Sequence, residues 1–423
     1  MKHSTLKTVA VTAITLTGLA ACAGPLDRSP RPEARSSIVP TSSAPAASAS
    51  DQARFAAWVA AFRPRALAQG ISPQVFDRAF RGATYQPDVI RRDRNQSEFN
   101  RTIWDYLDTA VSETRISNGR AALAKHGAEL AAIEARYGVE KEVVAAVWGM
   151  ESSYGTSRGS TPIIPALATL AEDGRRASFF EQQLIAALKI LQSGDVSPEG
   201  MTGSWAGAMG HTQFIPTSYL TFAVDFRGDG KRDIWSDDPT DALASTAAYL
   251  SKSGWVKGQP WAVEVVLPAG FNYNMAGKGT TKSAADWAAL GVRAAAGGTA
   301  SMAGPVSILL PAGSKGVALM IGGNFRAISR YNAADSYVIG VGHLSDRLRG
   351  KGPFVQPWPR TGRALTSAER QEIQQRLTRA GYDTQGTDGM IGPNTINAIT
   401  AWQRANGMTA DGYATLELLQ ALR

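Results

Sequence analysis

This chain predicts a mainly α fold with a minor β component (α+β), followed by a small three-helix domain, and three observations carry that prediction. Apolar residues recur at helical spacing between positions 52 and 146, with Phe55, Trp58, Val59 and Phe62 the clearest run. Strand-like segments are short and come late, at 263–267, 306–310 and 317–321. A Gly- and Pro-rich stretch at 351–363 then sets off a final segment with its own helical pattern.

From the beginning, residues 1–21 read as a secretory signal: Lys2 and Lys7 precede a mostly apolar run at 9–19 that is too short to span a bilayer. Leu19-Ala20-Ala21-Cys22 resembles a bacterial lipoprotein cleavage box, which implies Cys22 as a lipidated first residue of the mature protein. Cys22 is the single cysteine of the chain. An intramolecular disulfide and a Cys-based zinc or catalytic cluster are therefore excluded. Residues 22–50 are rich in Pro, Ser and Ala and read as a disordered tether, because such a segment buries too little apolar surface to offset its ordering entropy.

Residues 51–350 form the predicted main domain. Helices are expected at 121–137, at 140–150 after a break at Gly138, at 177–191, and at 239–251 with Pro near the first turn. Residues 351–364 read as a linker, and 365–423 as the small domain. There Thr366 and Glu369 have capping-box spacing ahead of Ile373 and Leu377, and a second helix carries Ile396, Ile399 and Trp402, the last expected to anchor the core. Asp388-Gly389 and Asp411-Gly412 mark comparable turns before the second and third helices.

The formal charge of +8 favours polyanionic surroundings. Nucleic acid is excluded as the partner, since no zinc finger, aromatic RNA-binding motif or concentrated Lys/Arg stripe accompanies that charge.

Chemistry concentrates in two motifs. In Gly149-Met150-Glu151-Ser152-Ser153-Tyr154-Gly155, Glu151 shares a helical face with Val144 and Trp148 and sits where the helix should end. The helix C-terminus and apolar neighbours both disfavour the carboxylate, which keeps a proton available for a leaving sugar oxygen. The second motif, 203–216, is dense in Gly and Ala, so a backbone or a sugar can approach closely, and Ser204 and Gln213 supply polar groups. A lone acid facing such a wall suits cleavage of a long sugar chain. Ordinary glycosidases use two carboxylates, so a hydrolytic muramidase pairing Glu151 with Asp225 or Asp229 is the alternative. A non-catalytic wall-binding scaffold is a second one. His211 has neither a Gly-x-Ser-x-Gly elbow nor a His-Glu-x-x-His partner and reads as structural.

Residues 225–233 partly resemble an EF-hand loop, with Asp225 and Asp229 at ligand positions. Arg227 and Lys231 place cations within that pattern. No cofactor is required on this reading, calcium is at most weak and structural, and no catalytic metal is assigned.

These blocks, with Ile103-Trp104-Asp105-Tyr106-Leu107, Arg175-Arg176, Phe179-Phe180, Gly254-Trp255 and the stretch from Asn324-Phe325 through Tyr331-Asn332 to Tyr337, resemble the B-type lytic murein transglycosylases, glycoside hydrolase family 103, over residues 52–348. The resemblance implies a lysozyme-like helical core and, as in some members, a calcium loop whose ligands would map to Asp225, Asp229 and Asp241. It also implies non-hydrolytic cleavage between N-acetylmuramic acid and N-acetylglucosamine to a 1,6-anhydromuramoyl end, with Glu151 as acid and then base. Ser204 and Gln213 would orient the glycan, with Tyr331 and Asn332 as further site residues and Arg175 and Arg176 contacting the wall substrate. Residues 365–422 resemble the peptidoglycan-binding type 1 domain through Ile373-Gln374-Gln375-Arg376-Leu377, Gly381-Tyr382, 388–395 and Ala401-Trp402-Gln403. The implied partner is the peptidoglycan glycan strand, and the implied place is the periplasm, on an outer-membrane lipid anchor. Exo or endo cleavage, oligomeric state and partners among cell-wall synthesis or division proteins stay open.

Overall fold

The computed structural model describes residues 47–94 and 101–423. The expected signal, Cys22 and nearly all of the tether lie outside the described residues. With 53% helix and 6% strand, the mainly α expectation holds and the sheet is an accessory. Among the described residues no helix is long and apolar enough to cross a membrane.

The chain enters through the helix Ala49–Ala68, whose first turn is closed by a capping box between Ser48 and Asp51. Its start places residues 49 and 50, expected in the tether, inside the folded unit. Phe55, Phe62 and Ala66 turn inward, and Arg65 reaches Glu181 at 3.0 Å, tying this helix to Ala177–Ser193. The expected helix 121–137 is two helices, Glu113–Lys125 and Gly127–Tyr137, with His126 at the junction. His126 caps one helix and opens the next with no side-chain hydrogen bond at that start, so the local Ala-rich propensity yields to packing. Gly138 is left-handed (φ 64) and ends the second helix as expected.

One large apolar core runs through residues 55–348. The helix Lys141–Ser152 lies inside it, buried along almost its whole length, against Asp335–Leu348 and Glu113–Lys125. Close approach to Asp335–Leu348 depends on Gly340, where a Cβ would lie 3.0 Å from Met150 and 3.2 Å from Tyr106. A second core, with Trp287 fully buried, sits under a four-stranded antiparallel sheet of order Arg293–Ala294, Ala262–Val266, Ala318–Ile321, Ser307–Leu309. Its register pairs Val265 with Ala294, Val263 with Met320 and Ile308 with Met320.

The 351–364 linker is irregular but fastened. Glu264 accepts the N–H groups of Val355 and Gln356 at 2.8 and 2.7 Å, Phe354 stacks on His343, and Arg360 forks onto Asp108. Beyond it, Ser367–Arg379, Pro393–Ala405 and Leu416–Leu422 pack around Ile373, Leu377, Ile399, Trp402 and Leu418. The Thr366/Glu369 capping box forms as expected, and Trp402 belongs to this core.

Candidate active site

Glu151 occupies the last turn of Lys141–Ser152. The helix stops sharply because Ser153 and Tyr154 are both left-handed, at φ 50 and 60, ahead of a left-handed Gly155. Glu151 is 6% exposed, and its Oε1 accepts the hydroxyl of Tyr337 at 2.6 Å. That short bond to a carboxyl oxygen fixes the rotamer of the acid. Tyr337 lies almost parallel to Tyr331, at 6° with centroids 6.4 Å apart, and the Tyr331 hydroxyl donates to the carbonyl of Thr212. The two tyrosines thus join Glu151 to the second motif.

That motif meets the glutamate helix directly. Ser152 Oγ donates to the His211 carbonyl at 2.5 Å and accepts the Gly155 N–H at 3.0 Å, while Trp148 Nε1 donates to His211 Nδ1 at 3.2 Å. A Cβ on Gly159 would stand 2.2 Å from the Gly203 carbonyl oxygen, so the two segments touch through bare backbone there. Strands Thr161–Pro162 and Thr202–Gly203 pair antiparallel beside this contact. His211 accepts at Nδ1, so its proton sits on Nε2 and donates to the Ser236 carbonyl at 2.7 Å. Burial pushes its pKa down, which keeps the ring neutral in this structural post.

The polar residues of the second motif are fixed by their own backbone. Ser204 Oγ accepts the Ala208 N–H at 3.0 Å, which leaves the hydroxyl hydrogen to donate elsewhere. Gln213 is left-handed at φ 54, and its Nε2 donates to the carbonyls of Arg158 and Gly210, both at 2.9 Å. Two carbonyl partners fix the amide orientation, so Oε1 is the group Gln213 can offer a ligand, as an acceptor. Ser204 and Gln213 are therefore complementary, one donor and one acceptor, as the two ends of an acetamido group require.

The other expected residues are held by near neighbours. Asn332 Oδ1 accepts the Ala334 N–H at 3.0 Å at the start of the helix that carries Tyr337. Arg175 forks onto Asp93, itself 2% exposed, and Arg176 lies over Phe179 and Phe180 at 4.5 and 5.3 Å. Both arginines are thus held by their own neighbours at the start of Ala177–Ser193. Tyr337 was not singled out as a site residue. In the sequence it stands only as the end of the block that runs from Asn324-Phe325 through Tyr331-Asn332.

Asp225, Asp229 and Asp241 bring one carboxylate oxygen each within 4.8 Å of one another, a cluster able to hold a metal ion such as calcium weakly. Asp225 accepts the N–H groups of Gly228, Asp229 and Gly230, and Asp241 those of Phe226, Arg227 and Asp233. Arg227 reaches Asp238 at 2.6 Å and Asp229 at 3.2 Å, so a guanidinium already balances part of the charge a cation would meet.

The "Transglycosylase SLT domain" family model matches residues 54–346, and a peptidoglycan binding domain model matches 366–422. SltB3 from Pseudomonas aeruginosa, solved in complex with NAG-anhNAM-pentapeptide, is 49% identical; the match covers 87% of this chain and 99% of that one, with a TM-score of 0.85. SltB1 from the same organism is 31% identical over 70% of this chain and 100% of that one, with a TM-score of 0.61. Escherichia coli Slt35, solved in complex with calcium, is 30% identical over 71% of this chain and 93% of that one, with a TM-score of 0.59. The membrane-bound lytic murein transglycosylase B of Escherichia coli K12 is 44% identical over 128 residues, 30% of this chain; the match spans about a third, 35%, of that relative's length.

Proposed function

Because the chain belongs to the transglycosylase SLT domain family, matched from residue 54 to 346, we propose that it is a lytic murein transglycosylase that cleaves the glycan of peptidoglycan and leaves a 1,6-anhydromuramoyl end. The observation that carries this reading is one buried carboxyl, Glu151, held by the Tyr337 hydroxyl. Glu151 protonates the glycosidic oxygen as its bond to the muramoyl C1 breaks. The carboxylate so formed takes the proton of the muramoyl C6 hydroxyl as that oxygen bonds to C1. The proton returns to Glu151, and no water is consumed.

Ser204 donates to the acetamido carbonyl and the Gln213 oxygen accepts the acetamido N–H, which holds the ring for that closure. Tyr331 and Asn332 position Tyr337 and the helix behind it. Arg175 and Arg176 are the cations offered to carboxylates of the wall at the rim. Asp225, a partner in the hydrolytic alternative, has both oxygens engaged by backbone N–H groups of its own loop, which favours the single-carboxyl mechanism.

The remaining organisation follows the sequence. Residues 1–21 are a lipoprotein signal, Cys22 carries lipid in the outer membrane, 22–48 tether the periplasmic enzyme, and 365–423 retain it on the wall. Fatty-acid labelling should mark the wild type and not Cys22→Ser. For the catalytic reading, Glu151→Gln should bind glycan and lose cleavage, since the amide keeps shape but cannot exchange the proton; a Glu151→Gln protein that still cleaves would refute it.

A further inference from the structure

The wall-binding domain contains one turn twice. Asp388 and Asp411 each stand four residues before a helix N-cap, Gly392 and Thr415 respectively. In the first copy, Gln374 Nε2 donates to Asp388 Oδ1 at 3.1 Å, the Met390 N–H to the same oxygen at 2.8 Å, and the Gly389 N–H to Gln374 Oε1 at 2.7 Å. In the second, Gln403 Nε2 donates to Asp411 Oδ1 at 3.1 Å, the Tyr413 N–H to that oxygen at 3.0 Å, and the Gly412 N–H to Gln403 Oε1 at 2.9 Å. Both glycines are left-handed, at φ 77 and 70. A Cβ on either would strike the helix seven and three positions before its glutamine, at Ser367 and Gln371 in one copy and at Ile396 and Thr400 in the other.

The copies differ in what their outer oxygen meets. Asp411 Oδ2 accepts both the N–H and the hydroxyl of Ser314, at 2.8 and 2.7 Å, where the Gly313 backbone lies against Tyr413. This docks the domain on the sheet side of the main body. Asp388 is exposed, and its Oδ2 takes no hydrogen bond from any described residue. Met390, in the place of Tyr413, is 68% exposed.

We propose that the turn at Asp388 and Met390 is a glycan-binding site of the wall domain, specific for N-acetylglucosamine. The docked copy shows what such a turn recognises: an N–H and an O–H on adjacent carbons, the N–C–C–O unit of serine. N-acetylglucosamine carries the same unit in its C2 acetamido N–H and C3 hydroxyl. In N-acetylmuramic acid that hydroxyl is replaced by the lactyl ether, so the donor pair is incomplete. A carboxylate accepting both donors makes charge-assisted bonds, and Met390 gives the apolar ring face a surface to rest on.

This inference rests on reading residues 365–423 as wall-binding, and its test is retention, independent of the cleavage product. Asp388→Asn keeps Oδ1 for Gln374 and Met390 and turns the outer acceptor into a donor. With the full chain, retention on chitin and on purified sacculi should fall about tenfold or more in Asp388→Asn and severalfold in Met390→Ala, with melting temperatures unchanged. Cellulose, which has a hydroxyl in place of the acetamido group, should hold the wild type poorly. Chitin retention within twofold of wild type in both variants, or equal retention on cellulose, overturns the proposal while leaving the domain's wall binding intact. Sacculus retention that survives deletion of 365–423 overturns the proposal and the reading of the domain together.

Discussion

Tyr337 donates its hydroxyl hydrogen to Glu151 across 2.6 Å, joining the helices Asp335–Leu348 and Lys141–Ser152 through two residues 186 apart in sequence. The bond orients the carboxyl, and Gly340, one turn further along, lets the two helices come close enough to make it. Tyr337→Phe should therefore retain the fold and lower kcat by roughly 10- to 100-fold, the equivalent of one charge-assisted hydrogen bond. Circular dichroism with single-turnover cleavage checks this; a Phe variant at wild-type rate would make Tyr337 a packing residue only.

Ser152 joins the two motifs by its hydroxyl. Ser152→Ala leaves the Gly155 N–H and the His211 carbonyl without that partner in a buried place, so unfolding stability should drop by about 1–3 kcal/mol. Denaturant titration reads it, and a change under 0.5 kcal/mol, about the effect of a neutral surface substitution, would contradict it.

Much of this site is legible in the sequence, and the residues show why the rest is not. Glu151, Ser204 and Gln213 lie in two compact motifs whose small residues announce close packing, and Gly155 against the His211 ring is a contact of that kind. Tyr337 is set by tertiary packing and leaves almost no local mark. Arg175 reads as a substrate cation, and the sequence does not show that Asp93, 82 residues away, braces its guanidinium. The linker looks free in composition, yet Glu264 on the sheet takes its backbone N–H groups. The break at His126 inside the expected helix 121–137 has one local mark, Gly127, whose low helix propensity the surrounding Ala-rich pattern outweighs in the sequence but not in the fold.

His343 makes stability depend on pH. Burial against Phe354 pushes its pKa down to about 4, from an unfolded value near 6.5. As pH falls below 6.5 the unfolded chain binds a proton that the folded ring refuses, so stability is lost between pH 6.5 and 4 and is level in this respect above 6.5. The full loss is about 3 kcal/mol. Urea midpoints at pH 7 and 4.5 should differ in the wild type, and that difference should shrink in His343→Leu; an unchanged slope in the variant would assign the effect elsewhere.

Calcium should have only a small effect. With Arg227 already on Asp229 and Asp238, calcium at its own Kd adds about 0.4 kcal/mol, and chelation should shift Tm little. Arg227→Asn should bind calcium more tightly and show a larger Tm rise on its addition. A wild-type protein that unfolds on chelation would show that the guanidinium does not substitute for the ion.

We propose that one carboxyl, Glu151, carries out both proton transfers without water. Mass spectrometry of the fragments released from peptidoglycan by residues 47–423 tests it most directly. Muramoyl ends should be lighter by one water than hydrolytic ends, formed by the wild type and absent with Glu151→Gln. Reducing muramic ends as the main product would contradict it and establish hydrolysis.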